Sequence, residues 1–182
     1  MPSDPGGSPP LPSGMDHLRT IVGHHTWATL QLIDRCLQLS AEQLELSTPG
    51  TFGSLHATLN HLVVADRRYL RGITGEEAGP PSQGPAPLTT LRAEMERQAR
   101  RWRDVLDHVD EIDATMPAIE GPDPYPEIEH AVGLFIVQAV HHGQEHRAHV
   151  CSILGAQGLE VPDVTGWDYI LVLRSERGAA PA

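Results

Sequence analysis

Lysine is absent from this chain: all 13 basic residues among its 182 are arginine. A lysine Schiff base and a Walker-type phosphate loop both need the missing amine, which excludes pyridoxal-phosphate enzymes and P-loop nucleotide hydrolases. Positive charge is scarce as well. The arginines face 24 acidic residues, for a formal net charge of -11, whereas a nucleic-acid backbone needs a clustered basic surface. Two cysteines, Cys36 and Cys151, are too few for a disulfide framework and form no CxxC pair, so both read as buried apolar thiols. No apolar run approaches the roughly 20 residues that cross a bilayer, and no basic flank followed by an apolar stretch opens the chain. These absences predict a cytoplasmic protein with a small-molecule substrate and no nucleic-acid or membrane partner.

The length fits one domain with a sizeable core. Residues 1–14 hold five Pro, three Gly and three Ser, a composition that buries little and predicts a disordered tail. Four helices follow. In the first, 15–39, Leu18, Ile21, Val22, Leu32 and Ile33 recur at helical spacing, with His25 and Thr29 on the same stripe. Ser40 and Gln43 then form a capping box for a short turn, and Thr48-Pro49-Gly50 breaks the chain. The second helix, 54–73, carries Leu55, Leu59, Leu62, Val63 and Leu70, and the Gly- and Pro-rich 74–88 reads as a surface connection. In the third, 89–110, Leu91, Met95, Ala99, Trp102, Leu106 and Val109 form one stripe. Four prolines predict irregular chain over 111–127.

The fourth helix, 128–155, is nearly all apolar from Ala131 to Val140, which predicts cover on most sides and a homodimer contact. Residues 161–173 are expected to dock back as a short helix anchored by Trp167 and Tyr169, before a tail at 174–182. The expected fold class is all-α, a four-helix bundle over residues 15–173.

Eleven histidines are the unusual presence. His142 and His146, four apart on the fourth helix, stand one turn apart on one face, where two imidazoles can share a metal. On its own such a pair is equally satisfied by buried carboxylates or water. Bundle sites draw ligands from facing helices, and His61 on the second helix, flanked by Ala57, Val64 and Ala65, is the best third ligand. His56 lies roughly 140° from it around a helix of 3.6 residues per turn, so only one of the two can point at the ion. His25 and His149 are candidates to support the ligands from behind, with a surface position favoured for His149. His17, His24, His108, His130 and His141 have no evident partner and read as solvated.

The runs SLHATLNHLVVADRRYL (54–70), VHHGQEHRAHV (140–150) and VPDVTGWDYI (161–170), together with HHTWATLQLID (24–34), resemble the DinB/YfiT-like superfamily of four-helix-bundle metalloenzymes over about residues 15–170. The resemblance implies a divalent metal held by His61, His142 and His146. It departs after the last ligand, where the family often reads His-Arg-Gly-Gln and this chain reads His146-Arg147-Ala148-His149.

Three neutral imidazoles leave an open coordination position, as catalytic zinc sites do. Imidazole suits several transition metals; zinc or nickel is the expected ion. Superfamily members include transferases and isomerases that use low-molecular-weight thiols, so the resemblance implies metal-dependent transfer of such a thiol to a small electrophile, with neither Cys36 nor Cys151 as nucleophile. Two alternatives stand beside it. One is a metal-stabilised or ligand-sensing bundle without turnover. The other is a zinc hydrolase, because His142 to His146 matches HxxEH with Glu145 as general base.

Overall fold

The computed structural model of the protein describes residues 14–76, 84–118 and 131–176. Among these the chain forms seven helices and no strand: α1 Gly14–Cys36, α2 Ala41–Leu44, α3 Leu55–Thr74, α4 Leu88–Asp107, α5 Val109–Thr115, α6 Val132–Ala156 and α7 Tyr169–Glu176. The four long helices, α1, α3, α4 and α6, make the bundle. α1 packs on α4 and α6, and α3 packs on the same two, so α1 and α3 face each other across a diagonal.

Side-chain chemistry sets the helix limits. The Ser40 and Gln43 capping box opens α2, and Ser54 Oγ accepts from the Ala57 N–H to open α3. Gly75, at φ 67°, ends α3 in the left-handed conformation that costs glycine nothing, and its N–H donates to the Arg71 carbonyl. The expected third helix divides at His108, whose φ of -125° interrupts it, and the chain resumes as α5 where irregular structure was expected. The helix expected to reach residue 39 stops at Cys36, and Gly14 is already helical. The first three residues of the expected fourth helix, the tail at 1–13, and residues 77–83, 119–130 and 177–182 lie outside the described residues.

The core has two apolar halves. One gathers Leu32, Ile33, Leu55, Leu59, Met95, Ile153 and Leu154; the other gathers Val22, Leu70, Trp102, Leu106, Val132 and Ile136. The expectation that α6 is covered on most sides is corrected at Leu134 and Val137, which are 49 % and 64 % exposed. That face points away from α1 and α3.

The anchor of α7 is corrected too. Trp167 is 84 % exposed, whereas Tyr169 is buried against Trp27 and His24, with ring centroids 5.3 and 5.7 Å apart. Its hydroxyl lies over Gly23, where a side chain would collide with it. His24, expected to be solvated, donates from Nε2 to the Val164 carbonyl at 2.8 Å and helps tie this segment to α1. Among the described residues no helix is long and apolar enough to cross a membrane.

Candidate metal centre

His61 from α3 and His142 and His146 from α6 meet on the seam between those helices. His142 Nε2 lies 3.0 Å from His61 Nε2 and 3.1 Å from His146 Nε2, and the ligand atoms of all three lie within 4.8 Å of one another. His146 is buried and the other two are half-buried. Around a tetrahedral ion with bonds of about 2.0 to 2.1 Å, neighbouring nitrogens lie about 3.3 Å apart, so the spacing suits one divalent ion.

Hydrogen bonds within the cluster can satisfy only one of the two contacts to His142 Nε2 at a time. A neutral imidazole carries one N–H and one ring lone pair. His142 Nε2 faces two neighbours: as a donor it serves one, and as an acceptor it has a single lone pair for both. A cation that receives three lone pairs removes the mismatch, and the donor set fits a divalent transition metal.

Burial, followed by repulsion from the neighbouring imidazoles, pushes the His146 pKa down to about 4. Burial also lowers that of His142, with His61 adding to the effect, and lowers that of His61, with the Arg68 charge adding. The rings are therefore neutral, as ligands must be. These depressed values have a consequence for the metal-free protein. Below pH 6.5 the unfolded chain takes up protons that the folded cluster refuses, so stability is complete above that pH and is lost as pH falls towards about 4. The metal-free parent is expected to melt lower at pH 5 than at pH 7.5, and His146→Gln should flatten that difference in thermal melts. An equal pH dependence in the two proteins would contradict the assignment.

Packing orients the rings. Phe52 stacks on His61 with centroids 4.1 Å apart and meets His146 edge-on at 5.0 Å, while Tyr69 stands edge-on to His142 at 5.8 Å. Phe52 is held by a tied loop. Gly50 turns at φ 88°, Thr51 Oγ1 donates to the Thr48 carbonyl at 2.7 Å, and the Leu55 N–H donates to the Leu46 carbonyl at 3.0 Å. His149 is half-buried and edge-on to His146 at 5.4 Å, so it touches a ligand ring without joining the cluster. His56 points elsewhere and donates to the Ala86 carbonyl at 2.7 Å. Glu145 is exposed, and among the described residues no carboxylate joins the three histidines.

Behind the triad lies a polar layer built from one residue of each long helix. Asp66 of α3 accepts from His25 Nε2 at 3.0 Å and from Trp102 Nε1 of α4 at 3.0 Å. Arg147 of α6 donates from Nη1 to His25 Nδ1 at 2.9 Å. Arginine has only donors, so Nδ1 is the bare nitrogen and the imidazole is the neutral Nε2–H tautomer. Arg147 also donates to Thr29 Oγ1 and to Gln144 Oε1. The four side chains are each no more than 2 % exposed. His25, a candidate support for the ligands, thus spends both its nitrogens on Asp66 and Arg147.

The remaining nucleophiles are quiet. Burial pushes the Cys36 thiol up to about 12 and raises that of Cys151 as well, so both stay protonated near neutral pH. No curated protein matches the chain. A family model described as DinB family matches residues 15–176, which span the bundle, the seam and all three histidines. By that match over most of its length, the chain belongs to the DinB family.

Proposed function

We propose that the protein is a metal-dependent enzyme that transfers a low-molecular-weight thiol to a small electrophile, with His61, His142 and His146 holding zinc or nickel. The observation that carries this reading is the convergence of three imidazole nitrogens that no fourth side chain of the described residues joins; such a donor set leaves a position for a small molecule. When bound, the ion supplies the positive charge that brings a coordinated thiol's pKa towards neutrality. The chain's own residues support the rest. Its two cysteines are held protonated by burial, so the sulfur nucleophile comes from outside. Phe52 shields one face of His61 from water. The thiol proton passes to solvent, since among the described residues no carboxylate joins the three histidines. The sulfur–carbon bond then forms as the electrophile's leaving group departs with the bonding pair.

The test is conjugation of a small thiol to an aryl halide by the zinc-loaded protein, followed by chelation and re-addition of metal. The rate is expected to fall to the uncatalysed background on chelation and to recover with zinc. A catalysed rate that survives chelation overturns the reading; a zinc-binding protein that accelerates no conjugation is the non-enzymatic bundle instead.

The exposed Leu134 and Val137 on α6 support a homodimer joined through that face. Light scattering at micromolar concentration is expected to give about twice the 19.8 kDa chain mass, and Val137→Glu should return the protein to one chain. A parent that already scatters as a single chain removes the dimer.

A further inference from the structure

The polar layer of Asp66, His25, Trp102 and Arg147 is an unusual way to hold a bundle together. Two opposite charges lie in the interior, bridged by a neutral imidazole, with apolar clusters on both sides. Taking charges out of water is costly, and apolar groups of similar volume in their place are often neutral or stabilising. Stability alone therefore does not explain the layer. What hydrogen bonds add is direction. Apolar side chains tolerate small slides of one helix along another, whereas a donor at 2.9 Å from its acceptor does not.

The layer's connectivity matches that of the triad. Asp66 is on α3 five residues after His61, and Arg147 is on α6 next to His146. The chain of bonds from Asp66 through His25 to Arg147 therefore ties together the two helices that supply the ligands. Gly143, between the ligands His142 and His146, faces the His25 ring. A Cβ there would stand 2.5 Å from His25 Nδ1 and 2.8 Å from Arg147 Nη1, so α6 lies directly against the bond that joins α1 to α6.

We propose that the Asp66–His25–Arg147 layer is the positioning device of the metal centre, setting the axial register and rotation of α6 against α3 so that three Nε2 atoms reach one point. Arg147 and Asp66 are positioning residues, acting on the ion only through the helices that carry its ligands. This inference rests on the metal reading of the triad.

The experiment replaces the layer with apolar groups of similar volume, as Asp66→Leu, His25→Leu, Arg147→Met and Trp102→Phe together. The full-length protein is then titrated with zinc against a chromophoric chelator and its cobalt(II) form is examined by absorption. The variant is expected to melt no lower than the parent, to bind zinc at least about tenfold more weakly, and to show altered visible cobalt bands. In case the fourfold variant does not fold, Arg147→Met and Arg147→Lys are compared. The lysine, which keeps one donor for His25 Nδ1, should recover much of the zinc affinity and the cobalt spectrum that the methionine loses. A folded fourfold variant with zinc affinity within twofold of the parent and an unchanged cobalt spectrum overturns the proposal, as does equal affinity in the two single variants. A parent that binds neither ion overturns the metal reading and this proposal with it, an outcome visible before any variant is made.

Discussion

Gly143→Ala is expected to destabilise the protein by about 2–4 kcal/mol, although alanine is the better helix former by about 1 kcal/mol. The added methyl falls on the Arg147–His25 hydrogen bond, 2.8 Å from its donor and 2.5 Å from its acceptor. Neither group has room to withdraw, since both are no more than 2 % exposed. Parting them leaves a guanidinium and a carboxylate buried without their bridge, and breaking a buried pair of this kind costs about 3–5 kcal/mol. For a chain of this size the melting midpoint should fall by roughly 10 °C. The control is Gly133→Ala, on the same helix, where a Cβ meets nothing within 4 Å; the change there should be neutral or slightly stabilising. Thermal melts of both metal-free variants decide the matter, and a Gly143→Ala protein as stable as the control would show that the layer relaxes freely.

His142→Ala is expected to abolish most of the stabilisation that zinc confers while leaving the metal-free fold intact. Zinc at about 1,000 times its Kd adds about 4 kcal/mol to the stability of a protein that binds it only when folded. Supporting residues alone are worth about 10–100-fold in metal affinity, so losing a ligand should cost at least about 100-fold and leave about 1.4 kcal/mol at the same zinc concentration. The metal-free variant should differ little from the parent. His142 is half-buried at the edge of the seam, outside both apolar clusters, and its removal relieves the nitrogen that has two neighbours and one proton or lone pair to offer. A zinc-dependent rise in the melting temperature equal to the parent's would remove His142 from the site.

Much of this was legible in the sequence because helices are periodic. The spacing of His142 and His146, and the small and apolar neighbours of His61 on its helix, selected the three rings that the fold brings together. The DinB resemblance pointed to the same three. Asp66 and Arg147 carried a weaker signal that went unread. Asp66 lies on the stripe of Leu62 and Leu70, and Arg147 on that of Gly143 and Val150, so each is a charge at a core position. What a charge at such a position meets depends on which helices are neighbours, and helical periodicity does not encode that. Phe52 was missed for a different reason: it stands on a loop, where no period marks an inward residue. Of the two anchors expected for α7, Tyr169 alone is buried, and this turned on Gly23, whose missing side chain admits the tyrosine hydroxyl. Either aromatic could have served on hydrophobicity alone.

The pairing of the helices also bears on how the chain acquires its structure during synthesis. α1 and α3 lie on a diagonal, so the first two long helices to leave the ribosome do not form a hairpin, and each waits for α4 and α6. Both apolar halves draw on α6, one through Val150, Ile153 and Leu154 and the other through Val132, Ile136 and Ala139. Loop closure over such separations precedes any reward from contact. A nascent chain ending before residue 132 therefore has neither half of its interior complete, and cooperative folding waits for the synthesis of α6.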